Sequence, residues 1–325
     1  MCAANIRVLA TGGTIAGIAG SAIGVEYRSG EIGIDAYLEQ VGGLGLSASL
    51  SGRQIANIDS ADMGPAVWNR LHPACIDALA DDDCDGVIVT HGTDTLEETA
   101  FLLDLTLPVV KPVVVVGAMR PADAVGYDGL RNFANAVRVA GDPAAAGRGV
   151  LAVMGDRVFA ARDVRKVRTR GAEAFRGFPR ESVGLVTPAS LQWFGAPWRG
   201  GGQLFAWSDD LPRVAIAYAH ADLRAGDVIA QRGQDIRGLV IAGVGEGNMP
   251  LDVRRALADL AARGVPVVRA SRTEEGLVDR EESDAADGFV AARALNPQKA
   301  RILLQVCLAN GLTEPAAIQR AFDEG

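Results

Sequence analysis

Short, almost wholly aliphatic runs constrain the fold of this 325-residue chain more than any other feature. Four of them lie in the first half, at residues 6–10, 86–90, 113–118 and 150–153. Each run ends in a glycine or a polar turn. Strands that are apolar on both faces are typical of a parallel sheet that helices cover on both sides. The runs therefore predict such a sheet.

Helical patterns alternate with these strands. Apolar residues recur at helical intervals at 94–107 and again at 128–140. Later in the chain, strands are predicted at 214–218, 239–243 and 265–269, and helices near 251–263, 297–309 and 315–322. The alternation of strands and helices predicts a doubly wound α/β architecture.

The length predicts two domains, at roughly 150 residues for each domain. Residues 194–212 are rich in glycine and proline and show no periodic pattern, which is typical of a linker. We therefore expect a larger N-terminal α/β domain with a mostly parallel sheet at 1–193 and a linker at 194–212. A smaller C-terminal α/β domain would occupy 213–325.

Charge and composition argue against several kinds of partner. The net charge is −8, from 32 basic and 40 acidic residues, so a basic surface for nucleic acid is not expected. The four cysteines form no CxxC pair and the chain has only three histidines, so we expect no metal site. The scattered cysteines are predicted to be buried or free thiols.

The uncharged segment 8–25 resembles a leader only at first sight. Its five glycines distinguish it from the apolar core of a signal peptide and from a membrane-spanning helix. We expect no membrane interaction and a cytoplasmic location, unless a leader has been removed.

Two turns that contain threonine follow predicted strands, at residues 10–14 and 90–95. In open parallel sheets, ligands bind beyond the carboxyl ends of the strands, so both turns would face one crevice if their strands are neighbours. The segment from Thr95 to Glu98 matches a capping box, which predicts a helix start at Thr95 and places Thr93 and Asp94 at a helix N-terminus. Considered singly, such threonine and aspartate side chains more often only cap turns, and we favour that interpretation for each one alone.

Other motifs favour ordinary structural roles. His91 could serve as a base, but beside Gly92 we favour a bracing hydrogen bond. Lys166 lies in the basic run 162–168, which by itself indicates a solvated surface. Neither of the glycine-rich turns at 43–48 and 243–247 satisfies the dinucleotide fingerprint in its context. The chain contains no G-x-S-x-G elbow, which argues against a serine hydrolase.

Six segments in order resemble the bacterial L-asparaginase family, the asparaginase/glutaminase type with two threonines. They span nearly the whole chain and read TGGTIAG at 11–17, NIDSADM at 57–63, THGTDTLEETA at 90–100, VGAMRP at 116–121, RDVRK at 162–166 and LNPQKAR at 295–301. The resemblance implies an amidohydrolase of asparagine catabolism that converts L-asparagine to L-aspartate and ammonia. It implies no metal or organic cofactor.

The resemblance also implies roles for residues at matching positions. Thr14 would be the nucleophile that forms a threonyl acyl-enzyme, and Tyr27 would assist it. Thr93, Asp94 and Lys166 would form the second threonine group. A threonine hydroxyl is a weak nucleophile, so it needs a neighbour that removes its proton. Backbone N–H groups near Thr93 could stabilise the oxyanion.

Further positions would bind the substrate. Ser60 and Asp94 match residues that hold the α-carboxylate and the α-ammonium group, whereas Ala61 stands where relatives often have glutamine. Affinity for the substrate could therefore be weak.

Asn248 and Glu281 would reach the site of a neighbouring subunit, with Glu282 as the alternative to Glu281. A site shared in this way implies a homo-oligomer, most simply a homotetramer built as a dimer of dimers. The residue at 110 is valine where periplasmic relatives have a disulfide cysteine, in keeping with a reducing compartment.

The glycine-rich segment 17–33, which carries Tyr27, is predicted to be a lid. Two other functions stay open at this point. One is a glutaminase-asparaginase with a roomier pocket, although Asn248 favours asparagine. The other is a non-catalytic amino-acid-binding protein on the same fold, which would have lost the nucleophile or the lysine.

Overall fold

A computed structural model describes residues 3–20, 28–198, 205–231 and 235–324 of the chain. It divides into two compact units, Met1–Gly201 and Gly202–Gly325. Each unit holds a sheet with helices, the first sheet having eight strands and the second four, which confirms the predicted α/β class. The described parts of the predicted linker, 194–198 and 205–212, contain neither helix nor strand.

The first unit contains most of the secondary structure. Its strands are β1 (Ala4–Gly12), β2 (Ala48–Ile58), β3 (Gly86–Thr90), β4 (Val113–Val116), β5 (Val150–Met154), β6 (Arg157–Ala160), β7 (Val164–Lys166), β8 (Phe175–Gly177), β9 (Gly184–Val186) and β10 (Leu191–Trp193). Its α-helices are α1 (Ile34–Gly42), α2 (Pro65–Ala80), α3 (Leu96–Thr106) and α4 (Gly129–Ala140). Short 3₁₀ turns occupy Thr14–Ala16, Ser60–Asp62 and Pro143–Ala145.

Eight strands form the main sheet, in the order β10-β9-β6-β5-β4-β3-β1-β2. The strands from β2 to β5 pair in parallel, whereas β6, β9 and β10 continue the sheet with antiparallel pairs. Strands β7 and β8 form a separate antiparallel pair. The part of the sheet from β5 to β2 is therefore parallel, as the apolar runs predicted.

Both faces of this sheet are buried. All four residues of β4 have no exposed surface, and their side chains alternate between two apolar clusters. Helices α2 and α3 contribute to one cluster, for example through Leu71 and Leu103. Helices α1 and α4 contribute to the other through Tyr37 and Phe133, whose rings meet edge to face at 5.2 Å. Two helices on each face explain why the central strands lack polar alternation.

Strand β2 was not predicted from the sequence, because it lies at the edge of the sheet. Most of its residues are at least partly exposed, so the strand carries no uninterrupted apolar run. Its polar residues suit an edge strand, where apolar side chains would invite aggregation. It nevertheless matters for the site, since the segment that follows it contains Ser60 and Ala61.

The second unit is a smaller parallel sheet with helices. Its strands are β11 (Val214–Tyr218), β12 (Gly238–Gly243), β13 (Val267–Ser271) and β14 (Phe289–Ala291), paired in that order. Its helices are α5 (Ala225–Gln231), α6 (Leu251–Ala262), α7 (Glu282–Asp287), α8 (Pro297–Ala309) and α9 (Pro315–Glu324). The sequence predicted β11 and α8 with these bounds and β12, β13, α6 and α9 within two residues. It did not predict the short elements α5, α7 and β14.

Cys75, Cys84 and Cys307 are buried free thiols, as the sequence predicted, and Cys2 lies outside the described residues. Across the described ranges, the helices are all too short or too polar to traverse a lipid bilayer.

Candidate active site

The two threonine-containing turns leave neighbouring strands. Strands β1 and β3 pair in parallel, with Ala10 opposite Thr90, which confirms the neighbour relation that a common crevice requires. The Thr11 hydroxyl donates a hydrogen bond of 2.9 Å to the Thr90 carbonyl and so ties the two strand ends together. Both turns therefore begin at the same edge of the sheet.

Close backbone approach joins these turns to a third one. A Cβ atom on Gly13 would lie only 2.3 Å from the amide nitrogen of Gly92. A Cβ atom on Gly92 would lie 2.7 Å from the side-chain oxygen of Ser60, in the turn after β2. Gly13 also has a φ of 83°, which disfavours other residues. The ends of β1, β2 and β3 thus converge on one point.

Thr14 lies at this point. It begins the 3₁₀ turn after β1 and is 4% exposed. The Gly17 amide donates to its carbonyl at 2.9 Å, and the preceding Gly13 amide donates to the Ile58 carbonyl at 2.9 Å. Thr14 is therefore a buried hydroxyl on a turn whose backbone is hydrogen-bonded on both sides.

Lys166 brings a cation to the second turn. Its ammonium group donates to the Thr93 hydroxyl at 2.8 Å and forms an ion pair with the Asp94 carboxylate. The Lys166 side chain is 15% exposed, that of Asp94 is 59% exposed, and Thr93 is buried. Lys166 is the last residue of β7. The basic run at 162–168 is therefore not only a solvated surface, because this lysine contacts Thr93 and Asp94.

Ser60 connects the turn after β2 to the start of α3. The Asp94 amide donates to its hydroxyl oxygen at 3.2 Å, and the Thr95 hydroxyl donates to its carbonyl at 2.8 Å. Thr95 is the N-cap residue of α3, as predicted, but its side chain makes no capping bond. The predicted capping box was wrong, because the hydroxyl is already committed to Ser60.

His91 is a brace. Its ring is fully buried, with Nδ1 2.7 Å from the Gly92 carbonyl oxygen and Nε2 2.9 Å from the Thr99 hydroxyl oxygen. Burial lowers the pKa of His91 to about 4. A neutral imidazole in this position fixes the turn before Thr93, in keeping with the structural role that the sequence favoured.

The predicted lid lies partly outside the described residues. Residues 21–27 are among those not described, and Tyr27 is one of them. On either side of this stretch, Ile18 and Arg28 form an antiparallel bridge. The Asp123 carboxylate accepts hydrogen bonds from the Ala19 and Gly20 amides at 2.8 and 2.7 Å. Sequence reasoning did not single out Asp123, whose role depends on a contact between distant segments.

Ala61 follows Ser60 and is exposed, with its amide bonded to the Asp59 carboxylate at 2.9 Å. Its methyl group offers no polar contact to a ligand.

The second unit contains Asn248 and Glu281. Asn248 is an exposed residue that closes the turn after β12, where its amide donates to the Val244 carbonyl at 2.8 Å. The carboxylate of Glu281 lies 3.2 Å from the guanidinium of Arg269. Glu282, the alternative to Glu281, is exposed.

Arg269 contacts both the turn of Asn248 and the carboxylate of Glu281. Its guanidinium is fully buried and donates to the Glu246 carbonyl at 2.6 Å, in the same turn as Asn248. It also donates to both carboxylate oxygens of Asp284, at 2.9 and 2.6 Å. Sequence analysis overlooked Arg269, although an arginine inside an apolar strand is a signal, because a buried cation needs such partners.

Within the described ranges, no cluster of three or more His, Cys, Asp or Glu side chains is arranged to hold a metal ion.

Comparison with known proteins gives one consistent family. The family model "Asparaginase, N-terminal" matches residues 5–199, and "Glutaminase/Asparaginase C-terminal domain" matches residues 213–322. The chain is 41% identical to L-asparaginase 2 of Escherichia coli over 333 residues, which cover 98% of this chain and 93% of that protein.

Two further relatives agree. A probable periplasmic L-asparaginase of Haemophilus influenzae is 40% identical over 331 residues, covering 98% of this chain and 93% of that protein. The crystal structure of a probable cytoplasmic L-asparaginase from Campylobacter jejuni is similar with a TM-score of 0.92. That structure is 36% identical and covers 99% of this chain and 100% of its own.

The burial of His91 predicts a pH-dependent stability. The folded state keeps the imidazole neutral down to a pKa of about 4, whereas an unfolded chain protonates it near pH 6.5. Between these values the unfolded state binds more protons, so the free energy of unfolding falls as the pH decreases. From pH 7 to pH 5 this contribution is about 2 kcal/mol, and His91→Asn should remove it in urea titrations.

Thr99→Val is the matched control. It removes a hydrogen-bond partner of the ring but keeps the histidine buried, so it should lower stability at both pH values and retain the pH-dependent loss. A His91→Asn protein that loses as much stability between pH 7 and pH 5 as the wild type would contradict the assignment.

Proposed function

The chain belongs to the asparaginase family of amidohydrolases, and from this membership we propose how its site hydrolyses L-asparagine to L-aspartate and ammonia. The observation that carries the proposal is the ammonium group of Lys166, shared between Thr93 and Asp94 beside the turn of Thr14. Two threonines on touching turns, with a cation next to one of them, suit a two-step acyl transfer.

Thr14 is the nucleophile in this proposal. Its hydroxyl oxygen attacks the side-chain amide carbon of asparagine, and its proton passes to the leaving nitrogen as the C–N bond breaks. Tyr27, the neighbour that the family resemblance assigns, assists the proton transfer. Burial of Thr14 supports this role, because exclusion of water strengthens every electrostatic contact that the reacting atoms make. Ammonia leaves and a threonyl ester remains.

The second threonine group completes the reaction. Thr93 orients a water molecule toward the ester carbon, and Lys166 relays the proton that this water loses. The ester bond breaks, aspartate leaves, and Thr14 recovers its proton. The Asp94 carboxylate holds the lysine in place and balances its charge. Backbone N–H groups near Gly92 and Thr93 would stabilise the oxyanion, at about 3 kcal/mol for each well-placed donor.

Ser60 and Asp94 hold the amino-acid end of the substrate. The half-exposed Asp94 carboxylate suits the α-ammonium group, and the Ser60 hydroxyl suits the α-carboxylate. The Asp94 backbone amide donates to the Ser60 hydroxyl oxygen at 3.2 Å, which supports a joint role for the two residues. Ala61 adds no polar contact, so we expect weaker binding than in a relative with glutamine at that position.

Asn248 and Glu281 complete the site of a neighbouring subunit in a homotetramer. Arg269 supports this role, because one buried guanidinium holds the turn of Asn248 and the carboxylate of Glu281 together. A cytoplasmic location is part of the proposal, although the named relatives include a periplasmic as well as a cytoplasmic protein.

A glutaminase-asparaginase is the second candidate. The family model that matches residues 213–322 is described for both activities. A non-catalytic amino-acid-binding protein is disfavoured by the presence of Thr14 and of the contact between Lys166 and Thr93.

Loss of either threonine hydroxyl is expected to stop turnover. Thr14→Ala removes the nucleophile and Thr93→Val removes the hydroxyl that Lys166 contacts, so each should lower kcat on the order of 10³-fold or more. Ammonia release from asparagine measures the effect, with circular dichroism to verify the fold. Thr14→Ser and Thr93→Ser, which keep the hydroxyls, should retain measurable turnover; full activity of Thr14→Ala or Thr93→Val would disprove the mechanism.

Asparagine is expected to be the better substrate. The two amides differ by one methylene, which is worth ~1–3 kcal/mol in a pocket, so kcat/KM should favour asparagine by about 10- to 200-fold. Parallel ammonia assays on asparagine and glutamine decide this. Equal values would establish the glutaminase-asparaginase alternative, and binding of asparagine without ammonia release would establish the non-catalytic one.

Mixed oligomers test the shared site. Thr14→Ala and Glu281→Ala should each be impaired alone, but a co-expressed pair forms sites in which one chain supplies Thr14 and the other supplies Glu281. At equal amounts, recovery of about one quarter of the wild-type rate is expected from random pairing. The matched control pairs Thr14→Ala with Thr93→Val, which lie in the same chain's site and should show no recovery. Absence of recovery in the first pair would contradict the proposed sharing.

A further inference from the structure

The turn that carries Thr14 is fixed through its carbonyl groups. Backbone amides satisfy most of them, at the following donor–acceptor pairs: Ala16 and Gly30 to Gly13 at 3.2 and 3.3 Å, Gly17 to Thr14 at 2.9 Å, Ile32 to Ala16 at 2.9 Å, Ala122 to Gly17 at 2.8 Å, and Arg28 to Ile18 at 3.0 Å. These bonds belong to the main chain, so no side-chain substitution removes them.

The Ile15 carbonyl is different, because its donor is a side chain. The Tyr127 hydroxyl donates to it at 2.6 Å across 112 residues of sequence. The amide that would serve it in a continuing 3₁₀ helix is that of Ile18, but this amide donates to the Arg28 carbonyl at 3.1 Å. Since Ile15 is fully buried, water cannot easily replace the tyrosine, and a buried carbonyl without a donor is unfavourable.

Space for this tyrosine is built into the start of α4. A Cβ atom on Gly129 would lie 2.2 Å from the Tyr127 hydroxyl oxygen and 2.3 Å from the adjoining ring carbon. Glycine at 129 thus lets the ring lie across the helix start. Burial raises the pKa of Tyr127 to about 12, so its hydroxyl stays protonated and remains a donor at neutral pH.

We propose that Tyr127 is a positioning residue for the nucleophile: its hydroxyl bond to the Ile15 carbonyl fixes the 3₁₀ turn so that the neighbouring Thr14 hydroxyl faces the substrate amide. The inference rests on the proposed role of Thr14. Tyr127 acts through the backbone and does not touch the reacting atoms. Catalytic steps depend steeply on such placement, because a shift of about 1 Å can lower a rate about 100-fold.

Tyr127→Phe tests the proposal while keeping the ring. We expect kcat for asparagine to fall about 10- to 100-fold while KM changes less than about twofold, since the groups that hold the amino-acid end are untouched. The control is Tyr37→Phe, which removes a buried hydroxyl near Tyr127 but leaves the bond to Ile15 in place. That variant should keep kcat within about twofold of wild type.

Gly129→Ala tests the same hydrogen bond through a change at the start of α4. Alanine is the better helix former, so helix propensity alone predicts no harm from this change. The added Cβ atom would nevertheless displace the Tyr127 hydroxyl. We expect kcat to fall at least as far as in Tyr127→Phe, with both rates expressed per folded protein after thermal unfolding has been measured.

The outcomes separate this inference from the proposed function. A folded Tyr127→Phe protein with kcat within about twofold of wild type would overturn it, as would a loss confined to the unfolding temperature. Thr14→Ala is measured in parallel. If Thr14→Ala is inactive while Tyr127→Phe is unimpaired, only the positioning role fails; if Thr14→Ala keeps full turnover, the nucleophile assignment itself fails.

Discussion

Backbone contact between two strand ends is the constraint on which the rest of the site depends. Parallel pairing of β1 with β3 ends both strands at the same level, and the turns beyond them approach until Gly13 and Gly92 have no room for a side chain. Each glycine is followed directly by a threonine, Thr14 or Thr93. The relation between the two threonine backbones is therefore set by the sheet, and mobile side chains do not have to establish it.

The cation at this site comes from a strand outside the main sheet. Lys166 ends β7, outside the main sheet, and its ammonium group lies between the neutral hydroxyl of Thr93 and the carboxylate of Asp94. Desolvation disfavours a lysine cation in a largely buried position, and an adjacent carboxylate offsets that cost. Because more than half of the Asp94 side chain is exposed, its carboxylate stays accessible while it pairs with Lys166.

The sequence predicts a strand correctly where full burial makes its residues uniformly apolar. Strand β3 was predicted with its observed bounds because every residue in it is buried. Edge strand β2 was missed because exposure makes its residues polar. The family resemblance placed Thr93, Asp94 and Lys166 in one group, whereas spacing alone indicated a solvated surface for Lys166. The capping-box match gave the Thr95 hydroxyl the wrong partner, since local spacing cannot reveal that Ser60 lies beside it. The contact between Tyr127 and Ile15 joins residues that lie 112 positions apart, so no periodic pattern in the sequence could predict it.

Tyr127 and Arg269 have the same structural role in separate units, since each donates a hydrogen bond to a carbonyl of a glycine-rich turn. Glycine-rich turns permit close approach, but glycine loses more conformational freedom on folding than any other residue, so such turns need additional fixation. In each case a long side chain from elsewhere donates to a carbonyl in the turn: Tyr127 to Ile15, beside Thr14, and Arg269 to Glu246, close to Asn248. Gly129 leaves the space that the first donor occupies, and the Asp284 carboxylate holds the second donor in place. Residues that fix such a turn are therefore found by asking which side chain satisfies each buried carbonyl, and sequence motifs do not contain that information.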